Sequence, residues 1–534
     1  MSMKQKYEAA MAAGDLDAAE QVLRVALAES QHPRVSLLLA NLLRKRGRLE
    51  EAVALLAPAA ETEPTVELLD TLYLIQYQNQ DFAGAERTLE RLIALAPGEA
   101  PLTSYQILAK LKATAGFVDE ARKVMARGVA AYPDATDFVA AYAGMLPHEH
   151  AIDVLESHLE SINHHPARLA YVLVRITFHR AALQRARLGL PAYGRSWPDT
   201  YQWPDGETLP QLKQALLNEV ARGTKRVTAW LDLACVSAAE GDWENAETCL
   251  AKLRGGEKRS VADFAAFGSA FHAALDAMSE EKIFGGLVGV ERLLSPQASS
   301  EAALFIGSDP NYFHRFTLPF LRQLEAAQLP LDVHVHLLDG TTADWTSIRR
   351  LLEPLVLVRA KLTAEASGAA ARGVSYARQY YHAIRFVRLY EELKASSRPM
   401  FLIDADAQLL RDPRPVFALL SGRDLALRTT PTEFSLNLKM TATCVGIAAT
   451  TLGLEFARRV AAYIIHMKNT GAWGWGVDQL ALLSAYAHMA SQGRQPQTLF
   501  LDDNAINDKV GDTGVIKFLS GIDKYGRDGR AANT

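Results

Sequence analysis

Residues 400–406 read Met400-Phe401-Leu402-Ile403-Asp404-Ala405-Asp406, four apolar residues that run straight into two aspartates one residue apart. A short apolar run of this kind is the pattern of a strand buried on both faces. With a period of two, the Asp404 and Asp406 carboxylates are expected on one side and Ala405 on the other. Two like charges delivered by a buried strand destabilise each other unless a cation or a basic group neutralises them. A divalent ion such as Mg2+ or Mn2+, itself bridging a diphosphate, meets that need.

The flanking sequence has the texture of an α/β domain over 297–534. Ala302-Ala303-Leu304-Phe305-Ile306 is an apolar run that ends at Gly307-Ser308-Asp309. A helix is expected from about Phe313 to Gln328, then strands at Val333–Leu338 and Leu355–Val358, and a longer helix from about Tyr376 to Leu393. Apolar strands alternating with helices predict a parallel sheet covered on both faces. Ligands of such sheets bind beyond the carboxyl ends of the strands.

Farther upstream the chain repeats itself. Gly14-Asp15-Leu16-Asp17-Ala18-Ala19 recurs as Gly47-Arg48-Leu49-Glu50-Glu51-Ala52, as Gln80-Asp81-Phe82-Ala83-Gly84-Ala85, and as Gly116-Phe117-Val118-Asp119-Glu120-Ala121. The alanines Ala19, Ala52, Ala85 and Ala121 are spaced by 33, 33 and 36 residues, close to a tetratricopeptide period. Leu39-Ala40 precedes Ala52 as the small position of a first helix, while Pro64, Pro97 and Pro133 close three units. Trp230, Leu233-Ala234, Gly241 and Ala246 rebuild the pattern later. Small residues let paired helices approach, and glycine ends the first of each pair. Repeats are therefore expected over 1–165. Further helical repeats are expected over 166–290, interrupted by a proline- and aromatic-rich loop at 188–210 that is an inert insertion packed on the solenoid, a clamp for a partner or part of the active-site lining.

Bulk properties narrow the function. A chain of 534 residues requires more than one core, and 49% hydrophobic with 22% charged residues is ordinary globular composition. A net charge of −4 supplies no basic field for nucleic acid, and Arg44-Lys45-Arg46 reads as a solvated helix face. Cys235, Cys249 and Cys444 form no CxxC pair, which fits a reducing compartment. The N-terminus lacks the apolar core of a signal peptide and no apolar run is long enough to span a bilayer, so a soluble cytoplasmic protein is expected. His334 and His336, the pairs His148/His150 and His164/His165, and the glycines of Trp473-Gly474-Trp475-Gly476 lack the companions of a zinc, hydrolase or dinucleotide motif.

Residues 300 to 526 resemble a GT-A-fold glycosyltransferase, nearest in pattern to the retaining family-eight enzymes. Four landmarks carry the resemblance in order: Ser308-Asp309-Pro310-Asn311-Tyr312, Tyr381-His382-Ala383-Ile384-Arg385-Phe386, Asp404-Ala405-Asp406, and Trp475-Gly476-Val477-Asp478-Gln479. It implies that Asp309, Asn311 and Tyr312 hold the nucleoside. Arg385 contacts the donor sugar or diphosphate, with Arg378 as a rival. Asp404 and Asp406 bind Mn2+ or Mg2+, and Asp478 and Gln479 flank the reacting carbon. Phe518-Leu519-Ser520-Gly521-Ile522-Asp523-Lys524 resembles the family's closing loop, in which Gly521 and Lys524 would hold the diphosphate. Phe518 stands where a metal-binding histidine is expected, so the ion is held either by Asp404, Asp406, phosphates and water alone or with Asp502, Asp503 or Asp512 as a substitute ligand. The chain is thus expected to be multidomain, a helical repeat solenoid joined to an α/β glycosyltransferase domain. The expected reaction moves a sugar from a nucleoside-diphosphate sugar, UDP-linked by preference, to an acceptor. The repeats favour a polypeptide acceptor, with polysaccharide and lipid-linked acceptors as alternatives. The competing expectation is a non-catalytic scaffold with a degenerate sugar-nucleotide domain.

Overall fold

The computed structural model describes residues 2–30, 32–162, 166–188, 208–223, 227–256, 260–297, 300–430, 435–502, 505–507 and 514–518. Contacts divide these into two compact units, Met1–Pro147 and His148–Leu519. The helices expected as further repeats thus share a unit with the sheet. Residues 189–207, most of the expected loop, lie outside the described residues.

In the first unit, helices Met3–Ala12, Leu16–Ser30, Pro33–Lys45, Leu49–Thr62, Val66–Gln78, Phe82–Leu95, Leu102–Thr114 and Val118–Ala131 pack pairwise in chain order. Ala19, Ala52, Ala85 and Ala121 are fully buried, as a close helix–helix approach requires. Gly14, Gly47 and Gly116 end the first helix of their pairs at φ +71°, +74° and +85°. The equivalent position of the third copy is Gln80, which adopts the same left-handed conformation at φ 63°.

The second unit begins with helices that include Val227–Ala239 and Trp243–Ala251, where Leu233, Ala234 and Ala246 are buried and Gly241 has φ +77°. Their apolar face joins one core with residues of the sheet and its covering helices, among them Phe305, Tyr380, Leu402 and Phe456. The strands are β1 (Glu291–Leu294), β2 (Ala303–Ser308), β3 (Leu331–Leu338), β4 (Val358–Glu365), β5 (Met400–Ile403), β6 (Ala407–Leu409), β7 (Leu425–Leu427), β8 (Cys444–Ile447), β9 (Thr498–Phe500), β10 (Ile506–Asn507) and β11 (Ile516–Phe518). Eight form a sheet in the order β1-β4-β3-β2-β5-β8-β7-β9, and β10-β11-β6 form a small second sheet. Leu304, Phe401 and Ile403 pack on the opposite side from Phe305 and Leu402, so both faces of the large sheet are covered.

The sheet is mixed rather than parallel throughout. The four expected strands, β2 to β5, are mutually parallel, but β8 inserts antiparallel between β5 and β7, and β1 runs antiparallel along β4. An apolar run reports burial, not direction, and an antiparallel strand needs no helical crossover. Strand β4 begins at Val358 instead of ending there. The Glu325 carboxylate accepts from the Val356, Leu357 and Val358 amides and holds the lead-in, and half-buried Arg359 and Lys361 break the apolar run that sequence reading follows. The helix expected from Phe313 starts at Pro310 and passes through a π turn, Phe313–Thr317, before Leu318–Ala326. Finally, β5 stops at Ile403, so Asp404-Ala405-Asp406 is the turn into β6 and the alternation of a strand does not extend to its carboxylates.

Candidate functional site

From β2 the chain steps through β3 to β4 on one side of the sheet, then returns to place β5 on the other side of β2. The order reverses between β2 and β5, and their carboxyl ends bound the crevice in which open α/β sheets bind ligands. The sheet thereby brings the Ser308–Tyr312 turn and the Asp404–Asp406 turn side by side. The π turn ties them together, because the Thr317 hydroxyl lies 3.5 Å from Ser308 Oγ and 3.4 Å from the Ala405 carbonyl. Such turns often occur at functional sites.

Arg385 reaches this crevice from the helix Val374–Ser396. Gly307 makes room for it, since a Cβ there would lie 2.9 Å from Arg385 Cβ. The guanidinium is 4% exposed. It bonds to the Asp404 carboxylate, donates to the Ala442 carbonyl at 3.1 Å and the His382 carbonyl at 2.8 Å, and stands 3.7 Å from Asp478 Oδ2. Burial works against its charge, but Asp404 and Asp478 outweigh that cost and hold its pKa above the ordinary arginine value. Asp478 lies in the first turn of the helix Val477–Ser491, where Gly476, at φ 86°, turns the chain. Burial pushes the Asp478 carboxyl up, and Arg385 opposes the shift. Its Oδ1 accepts from the Gln479 amide at 3.0 Å.

These groups line one cavity of about 110 Å3, to which Gln379, His382, Thr443, Trp475 and Gln479 also contribute. Of the sequence-derived residues, Arg385, Asp404, Asp478 and Gln479 meet there. Asp406 is buried in the adjoining turn and favours the Arg385 charge, although it does not line the cavity. Asp309 caps the helical turn after β2, accepting from the Tyr312 amide at 2.9 Å. Asn311 is exposed and Tyr312 packs on Phe316, all outside the cavity lining. Arg378 is exposed and absent from the lining, leaving Arg385 as the arginine of the site.

Phe518 is buried, and β11 pairs it with Ala407, the residue after Asp406. Phe518 therefore stands beside the Asp404–Asp406 turn, where its side chain cannot ligate a metal. Asp502 accepts from the Ala505 amide at 3.1 Å. Gly521, Lys524, Asp503 and Asp512 lie outside the described residues. Among the described residues no cluster of three or more His, Cys, Asp or Glu side chains is placed to hold an ion. Two oxygen-donor carboxylates, Asp404 and Asp406, suit an ion of the Mg2+ class, which commonly takes one or two carboxylates and completes its shell with phosphate and water.

Sequence reading passed over Gln379, His382 and Thr443, polar residues inside apolar patterns. It also passed over Asp339, whose carboxylate accepts from Tyr381, Ser367 and the Gly368 and Ala370 amides, tying the loop after β4 to the site helix. An Asp-Gly pair directly after an apolar strand was the available signal. His334 and His336 share the Thr363 hydroxyl inside a buried polar network under the same helix.

A helical repeat unit thus precedes a mixed-sheet α/β unit with a charged switch-point cavity. The family model described as tetratricopeptide repeat matches residues 10–73, so the N-terminal region contains such repeats. No curated protein matches the chain. Similar solved structures include a tetratricopeptide repeat protein from Parabacteroides merdae, 11% identical over 48% of this chain and 93% of that one, with a TM-score of 0.30. Another is MamA from Desulfovibrio magneticus, 15% identical over 30% of this chain and 94% of that one, with a TM-score of 0.26. No helix among the described residues is long and apolar enough to cross a membrane.

Proposed function

We propose that the α/β unit is a metal-dependent glycosyltransferase of GT-A type that takes a nucleoside-diphosphate sugar, UDP-linked by preference, while the repeats recruit a polypeptide acceptor. The observation that carries this reading is the convergence of Arg385, Asp404 and Asp478 at the switch-point crevice, beside the Asp309 turn. An anionic donor is held there by Arg385, and Asn311 and Tyr312 are available to a nucleoside at the end of β2. Asp404 and Asp406 would hold Mn2+ or Mg2+, whose chemistry is to neutralise charge on the departing diphosphate. Asp478, buried against Arg385, orients the sugar or accepts a proton beside the anomeric carbon, and Gln479 offers an amide to sugar hydroxyls. Gly521 and Lys524 belong to the segment that follows β11 and are assigned to the diphosphate. Repeat surfaces bind extended chains, which favours a protein acceptor. Cytoplasmic residence accompanies this reading.

Buried Phe518, in the place of a ligating histidine, favours a second reading, a sugar-nucleotide-binding scaffold without turnover. UDP release from a panel of UDP-sugars separates the two. The enzyme reading expects release by the wild type and none by the Asp404→Ala/Asp406→Ala variant. Binding without release in the wild type supports the scaffold.

A further inference from the structure

The segment Gly471-Ala472-Trp473-Gly474-Trp475-Gly476 holds two tryptophans with opposite fates. Trp473 is 5% exposed and packs in the core against Tyr380. Trp475, two residues on, is 61% exposed, yet it lines the cavity that contains Arg385, Asp404 and Asp478. Its position is fixed from both sides. A Cβ on Gly474 would come within 2.2 Å of the Phe264 ring, so the backbone is pressed onto the core at that residue. Gly476 turns the chain at φ 86° into the helix that carries Asp478 and Gln479. The Trp475 ring is braced by His382, with centroids 4.7 Å apart and planes at 73°.

A large aromatic held rigidly at the rim of a polar cavity, with its surface in water, is suited to a ligand having one apolar face and a polar edge. A pyranose ring is such a ligand, because its axial C–H groups form an apolar face and its hydroxyls lie around the edge. The cavity supplies partners for that edge. Gln379 and Gln479 are amides on its wall, and the Thr443 Oγ1 is buried there with no hydrogen-bond partner, an atom that a ligand hydroxyl would satisfy. We propose that Trp475 is the stacking platform for a pyranose ring at the mouth of this cavity, with Thr443 and Gln479 reading its hydroxyl edge. This deepens the sugar-nucleotide reading and rests on it for the identity of the cavity. The ring belongs either to the donor sugar or to a carbohydrate acceptor.

The test is calorimetric titration of the full chain, in Mn2+, with UDP, with UDP-glucose, UDP-galactose and UDP-N-acetylglucosamine, and with maltose, cellobiose and lactose. Wild type, Trp475→Ala and Trp475→Phe are compared, and the exposure of Trp475 predicts unchanged melting for both variants. If the ring is the donor's, Trp475→Ala weakens one UDP-sugar by about tenfold, binds UDP as the wild type does, and Trp475→Phe recovers most of the loss. If the ring is the acceptor's, the same tenfold loss falls on a disaccharide while the UDP-sugars are unaffected. Disaccharide binding that depends on Trp475 in a protein that binds no UDP keeps the platform and removes the nucleotide reading. The proposal is overturned if the wild type binds no disaccharide and no UDP-sugar better than UDP alone, or if Trp475→Ala leaves every sugar affinity unchanged.

Discussion

Replacing Arg385 by methionine tests whether the buried cation organises the site. Methionine keeps much of the volume and removes the charge. What remains is the Asp404 carboxylate without its ion-pair partner, Asp478 without the cation 3.7 Å away, and two backbone carbonyls, Ala442 and His382, without a donor. Breaking a buried pair from one side costs about 3–5 kcal/mol, because the surviving charge stays buried. The unit spanning His148–Leu519 has roughly 370 residues. Its unfolding entropy is then about 0.8 kcal/mol/K, and the loss becomes a fall of ~4–6 °C in melting temperature. The loss must also depend on pH. Without Arg385 the Asp478 carboxyl is raised further above its unfolded value, so the variant's deficit is largest at neutral pH and shrinks as acid protonates that group. Thermal unfolding of wild type and Arg385→Met, followed by circular dichroism at pH 7.5 and pH 5, measures both effects. A neutral-pH shift below about 1 °C, or a deficit that grows in acid, would refute the argument.

Asp478→Asn should stabilise the fold at neutral pH while lowering donor turnover by about 10²–10⁴-fold. The Asp478 pKa is raised in the folded state, so its contribution to stability is fully present below the unfolded value and is lost as pH rises through the folded one. Melting curves from pH 3.5 to 8 should show the variant's advantage appearing only as pH rises, and an advantage confined to acid contradicts the assignment. Gly307→Ala places a methyl group 2.9 Å from Arg385 Cβ, and a loss of ~1–3 kcal/mol together with weakened UDP affinity is expected in denaturation and titration experiments. Ala52→Leu overpacks a fully buried helix–helix contact, so denaturation of the repeat unit should show a similar cost, whereas wild-type stability would argue against the close approach.

How much could be read from the chain depended on where each signal lies. The repeats were legible because one small residue per unit must vanish between two helices, and that constraint recurs at a fixed spacing. Strands β2, β3 and β5 were legible as apolar runs. Strand β4 was displaced because half-buried Arg359 and Lys361, ion-paired to Asp332 and Glu392, interrupt its apolar run, and pairing direction left no trace in composition. Within the site, Arg385, Asp404, Asp478 and Gln479 were found as motif residues and do converge on one cavity. Asp309, Asn311 and Tyr312 sit at the neighbouring strand end, outside the lining, and Asp309 caps a helical turn there. Gln379, His382 and Thr443 were not legible, because their roles arise only when the helix Val374–Ser396 and strand β8 come together over the crevice. The strand geometry inferred for the aspartate pair failed because β5 ends at Ile403, three residues short of Asp406, a boundary effect of a few positions.

Binding of UDP, GDP and CMP, each titrated calorimetrically with Mn2+ and again with chelator, tests the central claim most directly. The site described here predicts that one diphosphate, UDP by preference, binds only with the metal and that Asp404→Ala/Asp406→Ala abolishes the signal. Absence of binding by the wild type under every condition would contradict the claim and leave the partner of the repeats as the route to function.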